Sequence, residues 1–161
     1  MSFQITGLPA ATFAPLFALS DQELAAREAV RMIADRQPGF PCRVSLRDAE
    51  PGESVLLLNY EHLPVASPYR ARHAIFVRAN AVDAQLGVDQ IPQSLQIRLL
   101  SLRAYDGSGM MLDADVVPGS ELAPAIHRML ERRAISYLHV HNAKPGCFAA
   151  RVERVERVER V

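Results

Sequence analysis

The stretch AISYLHVHNAKPGCFAAR, residues 134–151, is the one around which the rest of the chain is organised. It predicts a hairpin, because two segments rich in apolar residues flank the turn sequence NAKPG. His139 and His141 are two residues apart, so on a strand both rings leave the same face, with backbone positions roughly 6–7 Å apart. Leu138 and Val140 leave the other face, where we expect the core.

The composition allows one domain with a sizeable core. The chain has 161 residues, 49% of them hydrophobic, and this is enough to form a core without disulfides or metal. Its 18 basic and 18 acidic residues give a net charge of zero, which argues against a dedicated nucleic-acid-binding protein. Low net charge also removes a barrier to self-association, so a homodimer is one of the assemblies that we expect.

Two cysteines, Cys42 and Cys147, are too few for the disulfide framework of a secreted protein. The first residues, MSFQITGLPA, contain no basic segment followed by an apolar run, and no stretch is apolar for long enough to cross a membrane. We therefore expect a cytoplasmic protein with reduced thiols and no membrane partner.

Alternating and helical patterns predict an α+β protein, with a mainly antiparallel sheet of about six strands and two main helices in a single domain, residues 1–155. Residues 156–161 form a tail that continues a Val-Glu-Arg repeat, for which we expect strand to about Val155 and then a helical or frayed end. The predicted strands are an edge strand over 3–8, a strand starting within 40–46, a central strand over 54–61, one over 72–78, and a hairpin of 95–105 with 110–117.

The first predicted helix begins at the capping box formed by Ser20 and Glu23 and runs to about Arg36. The second covers 121 to about 132, with apolar residues at helical spacing. In the 95–117 hairpin, Asp106 and Gly107 begin the turn. The alternation there predicts a buried face made by Leu95, Ile97, Leu99, Leu112, Ala114 and Val116.

The histidine pair predicts a divalent metal site, such as a zinc site. Two imidazoles on one strand face converge on an ion about 2 Å from each nitrogen. A third ligand is needed, and Cys147 is the nearest, with Cys42, His62 and His73 as further candidates. The alternative is that His139 and His141 are half-exposed strand residues that bond to the backbone and to neighbouring side chains.

Cys147 is also a candidate nucleophile. It follows Gly146, which we expect at positive φ, and a thiol beside an imidazole can react as a thiolate. His139 and His141 are the candidate bases. The alternative is a buried cysteine that packs as a small apolar residue.

Ligand-binding candidates are Cys42, Arg43, Arg72 and Asn142. Arg43, Arg70 and Arg72, with Tyr60 and Tyr69, could line a cleft for an anion, since guanidinium groups bind carboxylate or phosphate through paired hydrogen bonds. The alternative is that these arginines lie at strand ends in solvent and pair with Asp and Glu. HExxH, GxSxG and CxxC do not occur in the sequence, which argues against the familiar classes of hydrolase, zinc protease and thioredoxin.

Four segments, FPCR (40–43), PGESVLLLNY (51–60), SPYR with AIFVR (67–70, 74–78) and YLHVHNAKPGCFAARVER (137–154), resemble a bacterial family of uncharacterised proteins, domain of unknown function 1203. The resemblance covers nearly the whole chain. It implies that the family pattern includes Cys42, Arg43, His139, His141, Asn142, Gly146 and Cys147. His62 and His73 match it less well, which makes them poor candidates as ligands. The resemblance implies no activity.

Two functions therefore stay open at the level of sequence. The first is a domain that binds a small molecule, an anion or a metal where the 139–147 hairpin meets the 40–43 segment, with or without catalysis. The second is a non-catalytic assembly module, such as a homodimer, in which the histidines and cysteines are structural. Convergence of Cys42, His139, His141 and Cys147 in space would favour the first function.

Overall fold

A computed structural model describes residues 1–156. The strands are β1 (Ser2–Thr6), β2 (Ala29–Ile33), β3 (Ser54–Leu63), β4 (Ala71–Arg78), β5 (Leu99–Tyr105), β6 (Met111–Pro118), β7 (Tyr137–Asn142) and β8 (Phe148–Val155). The α-helices are α1 (Ala10–Phe13), α2 (Asp21–Ala25), α3 (Gln93–Gln96) and α4 (Leu122–Leu130), and 3₁₀ helices cover Ala14–Ala18 and Gly119–Glu121.

The strands form two antiparallel sheets. The larger has the order β1-β8-β7-β5-β6 and the smaller the order β2-β3-β4. The predicted α+β class is confirmed, although the strands are divided between two sheets. β1 lies at an edge of the larger sheet and β3 is central in the smaller one, as predicted.

The larger sheet packs one face against α4. Leu138 and Val140 of β7 lie in this core, with Ile126 and Met129 of α4, and all four are at most 1% exposed. The apolar stripe of α4 was predicted from its helical spacing. The opposite face of β7 carries His139 and His141, as the alternation of the strand requires.

The smaller sheet has its own core. Leu56 and Leu58 of β3 pack with Ile75 of β4, and Phe13 and Leu24 from the N-terminal helices cover them. Val55 and Leu56 are both 0% exposed, so the start of β3 is buried on both faces, as its run of apolar residues predicts.

The predicted helix over 20–36 is wrong beyond its first turns. The capping box is present, with Glu23 N donating to Ser20 Oγ at 3.1 Å, but α2 ends at Ala25. Glu28 then takes a φ of +56°, and Ala29–Ile33 pairs with β3 as β2. Its Val, Met and Ile side chains suit a strand as well as a helix, and pairing with the central strand decides between the two.

The buried face predicted for the 95–117 hairpin is wrong over its middle, where the residues predicted to be buried are exposed: Ile97, Leu99, Ala114 and Val116. Leu95 is buried as predicted, and Leu112 packs against the core. β5 begins at Leu99, because Pro92 starts α3 and Ile97 still has helical backbone angles at the end of that helix. Leu100, Leu102 and Ala104 are therefore buried, and Leu99 and Val116 are 44% and 57% exposed. A shift of one residue moves a whole set of side chains to the other face.

The predicted strand over 40–46 is a loop with two isolated bridges, Pro41 to Asp48 and Cys42 to Phe76. β8 runs to Val155, and the helical or frayed end predicted after it falls mainly on residues 157–161, outside the described part of the chain. In residues 1–156, none of the helices has the length and apolar character needed to span a bilayer.

Candidate metal centre

The sheets meet at a cluster of histidines. His62 of β3, His73 of β4 and His141 of β7 each offer one ring nitrogen, and the three atoms lie within 4.8 Å of one another. His62 and His141 are 8% and 0% exposed, and His73 is half-buried. This is the geometry of a set of ligands that could hold one metal ion.

Strand pairing brings His62 and His73 together. His73 lies opposite Tyr60, and a register irregularity falls between Glu61 and Leu63, at the position of His62. On β7, the alternation that sends Val140 into the core sends His141 toward the smaller sheet. Each ligand thus comes from a strand.

The His62 ring is stacked between two others. His73 lies on one side, with ring centroids 4.7 Å apart and planes 8° apart, and Phe148 is stacked with it at 5.1 Å and 9°. The His141 ring meets His62 and His73 edge-on, at centroid distances of 5.0 Å and 5.2 Å. Phe148 therefore closes the site with an apolar surface.

Three ring nitrogens in this cluster have unfulfilled hydrogen-bonding capacity. His62 Nε2, His73 Nδ1 and His141 Nε2 are all buried, and none has a hydrogen-bond partner within residues 1–156. A buried polar group without a partner costs about 1–3 kcal/mol. The rings that carry these three atoms are the ones whose nitrogens lie within 4.8 Å of one another.

The second nitrogens of His62 and His141 are held by neighbouring groups. His141 Nδ1 lies 3.1 Å from the carbonyl oxygen of Gly146, which accepts hydrogen bonds only, so Nδ1 carries the proton and Nε2 presents a lone pair. His62 Nδ1 lies 3.2 Å from His139 Nδ1, and one of these two atoms donates. When His62 is the donor, its Nε2 also presents a lone pair.

The electrostatics keep the rings neutral. Burial lowers the pKa of His62 to about 4, of His141 to about 3 and of His139 to about 2. Burial likewise lowers the pKa of His73. The Arg103 guanidinium acts in the same direction on all four rings. Neutral imidazole is the form that binds metal.

The set His139, His141 and Cys147, predicted as metal ligands, is not the group that the structure brings together. His139 is 1% exposed and lies beside the cluster, where it contacts His62. Both strand histidines are fully buried, so the alternative of half-exposed strand residues does not hold.

Cys147 lies against a different group. Its Sγ accepts from Arg43 Nη2 at 2.8 Å, and Asn142 Nδ2 lies 3.7 Å away. The prediction that the 139–147 hairpin meets the 40–43 segment thus holds through Arg43 and Cys147. Cys42 instead packs in the core of the smaller sheet, and both cysteines are free thiols.

The predicted arginine cleft is not formed. Arg72 donates to Asn59 Oδ1 at 2.5 Å and pairs with Glu61, and Arg70 pairs with the same Glu61 at 3.0 Å. Arg43 is buried elsewhere. Of the four predicted ligand-binding residues, only Arg43 and Asn142 lie together, both beside Cys147.

A surface cavity of about 900 Å³ lies away from the histidines, along the loop between β4 and α3. Its lining is mostly polar and includes Asp48, Arg78 and Asp83. Arg78 is already paired with Glu53 at 2.5 Å. None of the predicted site residues lines this cavity.

His62 and His73 entered the sequence analysis only as further candidates for a third ligand, and as poor ones from the family resemblance, yet the structure brings both against His141. One signal was available, since the strand over 72–78 and the end of the strand over 54–61 each carry a histidine. Their meeting depends on the antiparallel register and on the irregularity at His62, which no local pattern specifies.

A family model described as "Protein of unknown function (DUF1203)" matches residues 39–154. This range includes the three histidines of the cluster and the neighbouring His139, and also Arg43 and Cys147. No curated protein and no solved structure matches the chain. The function is therefore argued from the site itself.

Proposed function

We propose that this chain, which belongs to the DUF1203 family of proteins of unknown function, binds a divalent transition-metal ion through His62, His73 and His141. Zinc is the first choice, because imidazole nitrogens suit it well. One observation carries the proposal: three buried ring nitrogens lie within 4.8 Å of one another, and each of these rings has a buried nitrogen without a hydrogen-bond partner in the described chain.

The protonation of the rings favours a metal over an anion. An anion needs N–H donors, whereas His141 Nε2 presents a lone pair because Nδ1 donates to Gly146. The lowered pKa values keep the rings from becoming cationic at neutral pH. A metal ion accepts lone pairs and would satisfy all three nitrogens at once.

Neighbouring groups hold the proposed ligands in place through hydrogen bonds to their second ring nitrogens, as in many metal sites. Metal-binding histidines commonly donate their second N–H to a carbonyl or another acceptor, and this fixes the ring and its tautomer. Gly146 O provides that acceptor for His141, and His139 Nδ1 provides it for His62. His139 is then a supporting residue rather than a ligand.

Binding requires a small contraction. Metal–nitrogen bonds of about 2.0–2.1 Å place tetrahedral ligands about 3.3 Å apart, so the rings must move closer together. His73 is the most exposed of the three, and it can tilt away from its stack on His62. Three protein ligands leave a fourth position for water or for a small ligand.

The test is zinc uptake by purified, chelator-treated protein, measured by isothermal titration and by elemental analysis after dialysis. We expect one zinc ion per chain. His73→Ala should reduce the affinity at least about a hundredfold, and Cys147→Ser should leave it unchanged. His127→Ala is the matched control, because His127 packs edge-on against Phe3 outside the cluster.

Two outcomes would contradict the proposal. One is a wild-type protein that takes up no zinc, cobalt or nickel. The other is uptake that Cys147→Ser abolishes and His73→Ala preserves, which would restore the ligand set His139, His141 and Cys147.

We propose, as a second function, self-association through β6. This strand is an edge of the larger sheet, and the apolar side chain of Val116 on it is 57% exposed. Edge strands with exposed apolar residues pair readily with another copy. Light scattering should then give a dimer that Val116→Lys converts to a monomer. A wild-type monomer at high concentration would end this proposal.

A further inference from the structure

Arg43 is a charged side chain in the interior. It is 2% exposed, and its guanidinium donates to Phe148 O at 2.7 Å, Pro41 O at 2.5 Å and Cys147 Sγ at 2.8 Å. Two of these acceptors are neutral carbonyl groups. The sulfur is therefore the only hydrogen-bond acceptor among the described partners of Arg43 that can carry a negative charge.

A buried cation needs a counter-charge, because removing it from water costs several kcal/mol. Burial lowers the pKa of Arg43, and among the groups that raise it again Cys147 comes first and Cys42 second. The hydrogen-bond acceptors of the Arg43 guanidinium within residues 1–156 include no carboxylate. The Cys147 sulfur, 2.8 Å from Arg43 Nη2, is thus the hydrogen-bonded group placed to supply that counter-charge.

Asn142 gives an independent observation at the same sulfur. It is 5% exposed, and its Nδ2 lies 3.7 Å from Cys147 Sγ. Its Oδ1 is buried and has no hydrogen-bond partner within residues 1–156. The amide thus turns its donor side to the sulfur and leaves its acceptor side free for a molecule that carries a proton.

We propose that Cys147 is a reactive thiolate, stabilised by Arg43 and Asn142, whose reactant is a small hydroperoxide. The sulfur attacks one peroxide oxygen, a sulfur–oxygen bond forms and the oxygen–oxygen bond breaks. Cysteine is oxidised by two electrons to sulfenic acid, and the second peroxide oxygen leaves as hydroxide or alkoxide, which takes a proton from the buffered solvent to give water or an alcohol. The half-buried position of Cys147 limits the reactant to small molecules.

Cys42 does not take part in this step. It is 2% exposed, it packs in the core of the smaller sheet, and its Sγ accepts from Arg78 N at 3.3 Å. It therefore serves as an internal reference, a buried thiol of the same protein without a guanidinium bonded to it. The product at Cys147 should persist as sulfenic acid long enough to be trapped.

The experiment uses the full chain, treated with chelator so that metal binding plays no part. Iodoacetamide and hydrogen peroxide are added separately at about pH 6, where an ordinary thiol is almost fully protonated. Peptide mass spectrometry then measures two products: the cysteine alkylated by iodoacetamide, and the adduct that dimedone forms with sulfenic acid. We expect folded Cys147 to react at least about tenfold faster than Cys147 in the same chain unfolded by urea, and Cys42 not to react.

Arg43→Lys should slow both reactions about tenfold, because one ammonium replaces three oriented donors. If that variant fails to fold, the proposal is tested with Asn142→Ala and by comparing the reactivity of Cys147 in folded and unfolded wild-type protein. Folded Cys147 that reacts no faster than unfolded Cys147, or that reacts with iodoacetamide and yields no sulfenic acid with peroxide, would overturn the proposal. A result here is independent of zinc uptake, so the two proposals can fail separately.

Discussion

Gly146 ends the turn between β7 and β8 at a φ of +77°, with its carbonyl oxygen 3.1 Å from His141 Nδ1. That single contact fixes the proton on Nδ1 and turns a lone pair on Nε2 toward His62 and His73. Glycine is suited to this position because L side chains rarely adopt such a backbone conformation. At the scale of the residue, a turn therefore orients a histidine that we propose as a metal ligand.

Substitution of His139 tests whether its contact with His62 supports the proposed metal site. His139→Phe keeps an aromatic ring against Tyr105 and Phe148 but removes the acceptor for His62 Nδ1. We expect zinc affinity to fall about 10–100-fold, the usual cost of losing such a partner, and not to disappear. Titration calorimetry measures this, with His127→Phe as the control. Unchanged affinity would show that the contact between His62 and His139 does not matter.

The histidine pair predicted from the sequence supplies one of the three proposed ligands, His141, and one neighbour of the cluster, His139. Strand alternation was enough to place His139 and His141 on one face and Leu138 and Val140 in the core. It could not indicate that the facing surface carries His62 and His73, because that depends on how two separate sheets pack. Burial of the two predicted histidines followed from the same packing.

At the scale of the element, short segments switch between helix and strand where the tertiary structure requires it. Ser20 and Glu23 were read correctly as a capping box, since that motif is local. The switch at Glu28 to β2 was not predicted, because it depends on pairing with a distant strand, β3. Local motifs were predicted well, and long-range pairing was not.

Substitution of Gly119 tests how closely the chain after β6 packs against α3. A Cβ at this position would lie 1.9 Å from the carbonyl oxygen of Leu95 and 2.6 Å from that of Gln96, both backbone atoms of α3. Gly119→Ala should therefore lower the free energy of unfolding by about 2–3 kcal/mol. Gly107→Ala is the control, since its Cβ would meet only Ser136 Oγ at 3.5 Å. Equal stability of the two variants in urea would contradict this account.

At the scale of the whole molecule, a bidentate ion pair joins the loop that carries Arg43 to the segment between α3 and β5. Arg98 donates to Asp48 at 2.5 Å and 2.9 Å, and the two side chains are 18% and 7% exposed. Asp48→Ala leaves the largely buried guanidinium of Arg98 without its carboxylate partner. We expect the free energy of unfolding, measured in urea, to fall by about 3 kcal/mol. Asp35→Ala removes the ion pair between Asp35 and Arg36, whose side chains are 72% and 66% exposed respectively. This variant should lower the free energy of unfolding by less than about 1 kcal/mol. A cost below about 1 kcal/mol for Asp48→Ala would contradict this account.

The histidine cluster also predicts how stability depends on pH. The folded protein holds His62, His139 and His141 at pKa values of about 4, 2 and 3, whereas an unfolded histidine titrates near 6.5. Below about pH 6.5 the unfolded chain therefore binds more protons than the folded chain, so the free energy of unfolding falls as pH falls. Above about pH 7 both states are neutral at these groups, and the effect is absent.

Urea unfolding of chelator-treated protein between about pH 7.5 and pH 5 measures this, in a range where ordinary carboxylates stay ionised. We expect a decrease that becomes steeper toward pH 5, and a smaller decrease in His139→Phe. A flat profile over this range would show that the histidines are not held neutral by burial.

The central claim is that three histidines from two sheets hold one metal ion. X-ray absorption at the zinc edge of the loaded protein tests it most directly. The account predicts a first shell of nitrogen and oxygen only, at about 2.0–2.1 Å, with the outer-shell scattering of imidazole rings. A sulfur neighbour at about 2.3 Å, or a protein that retains no zinc after dialysis, would contradict it.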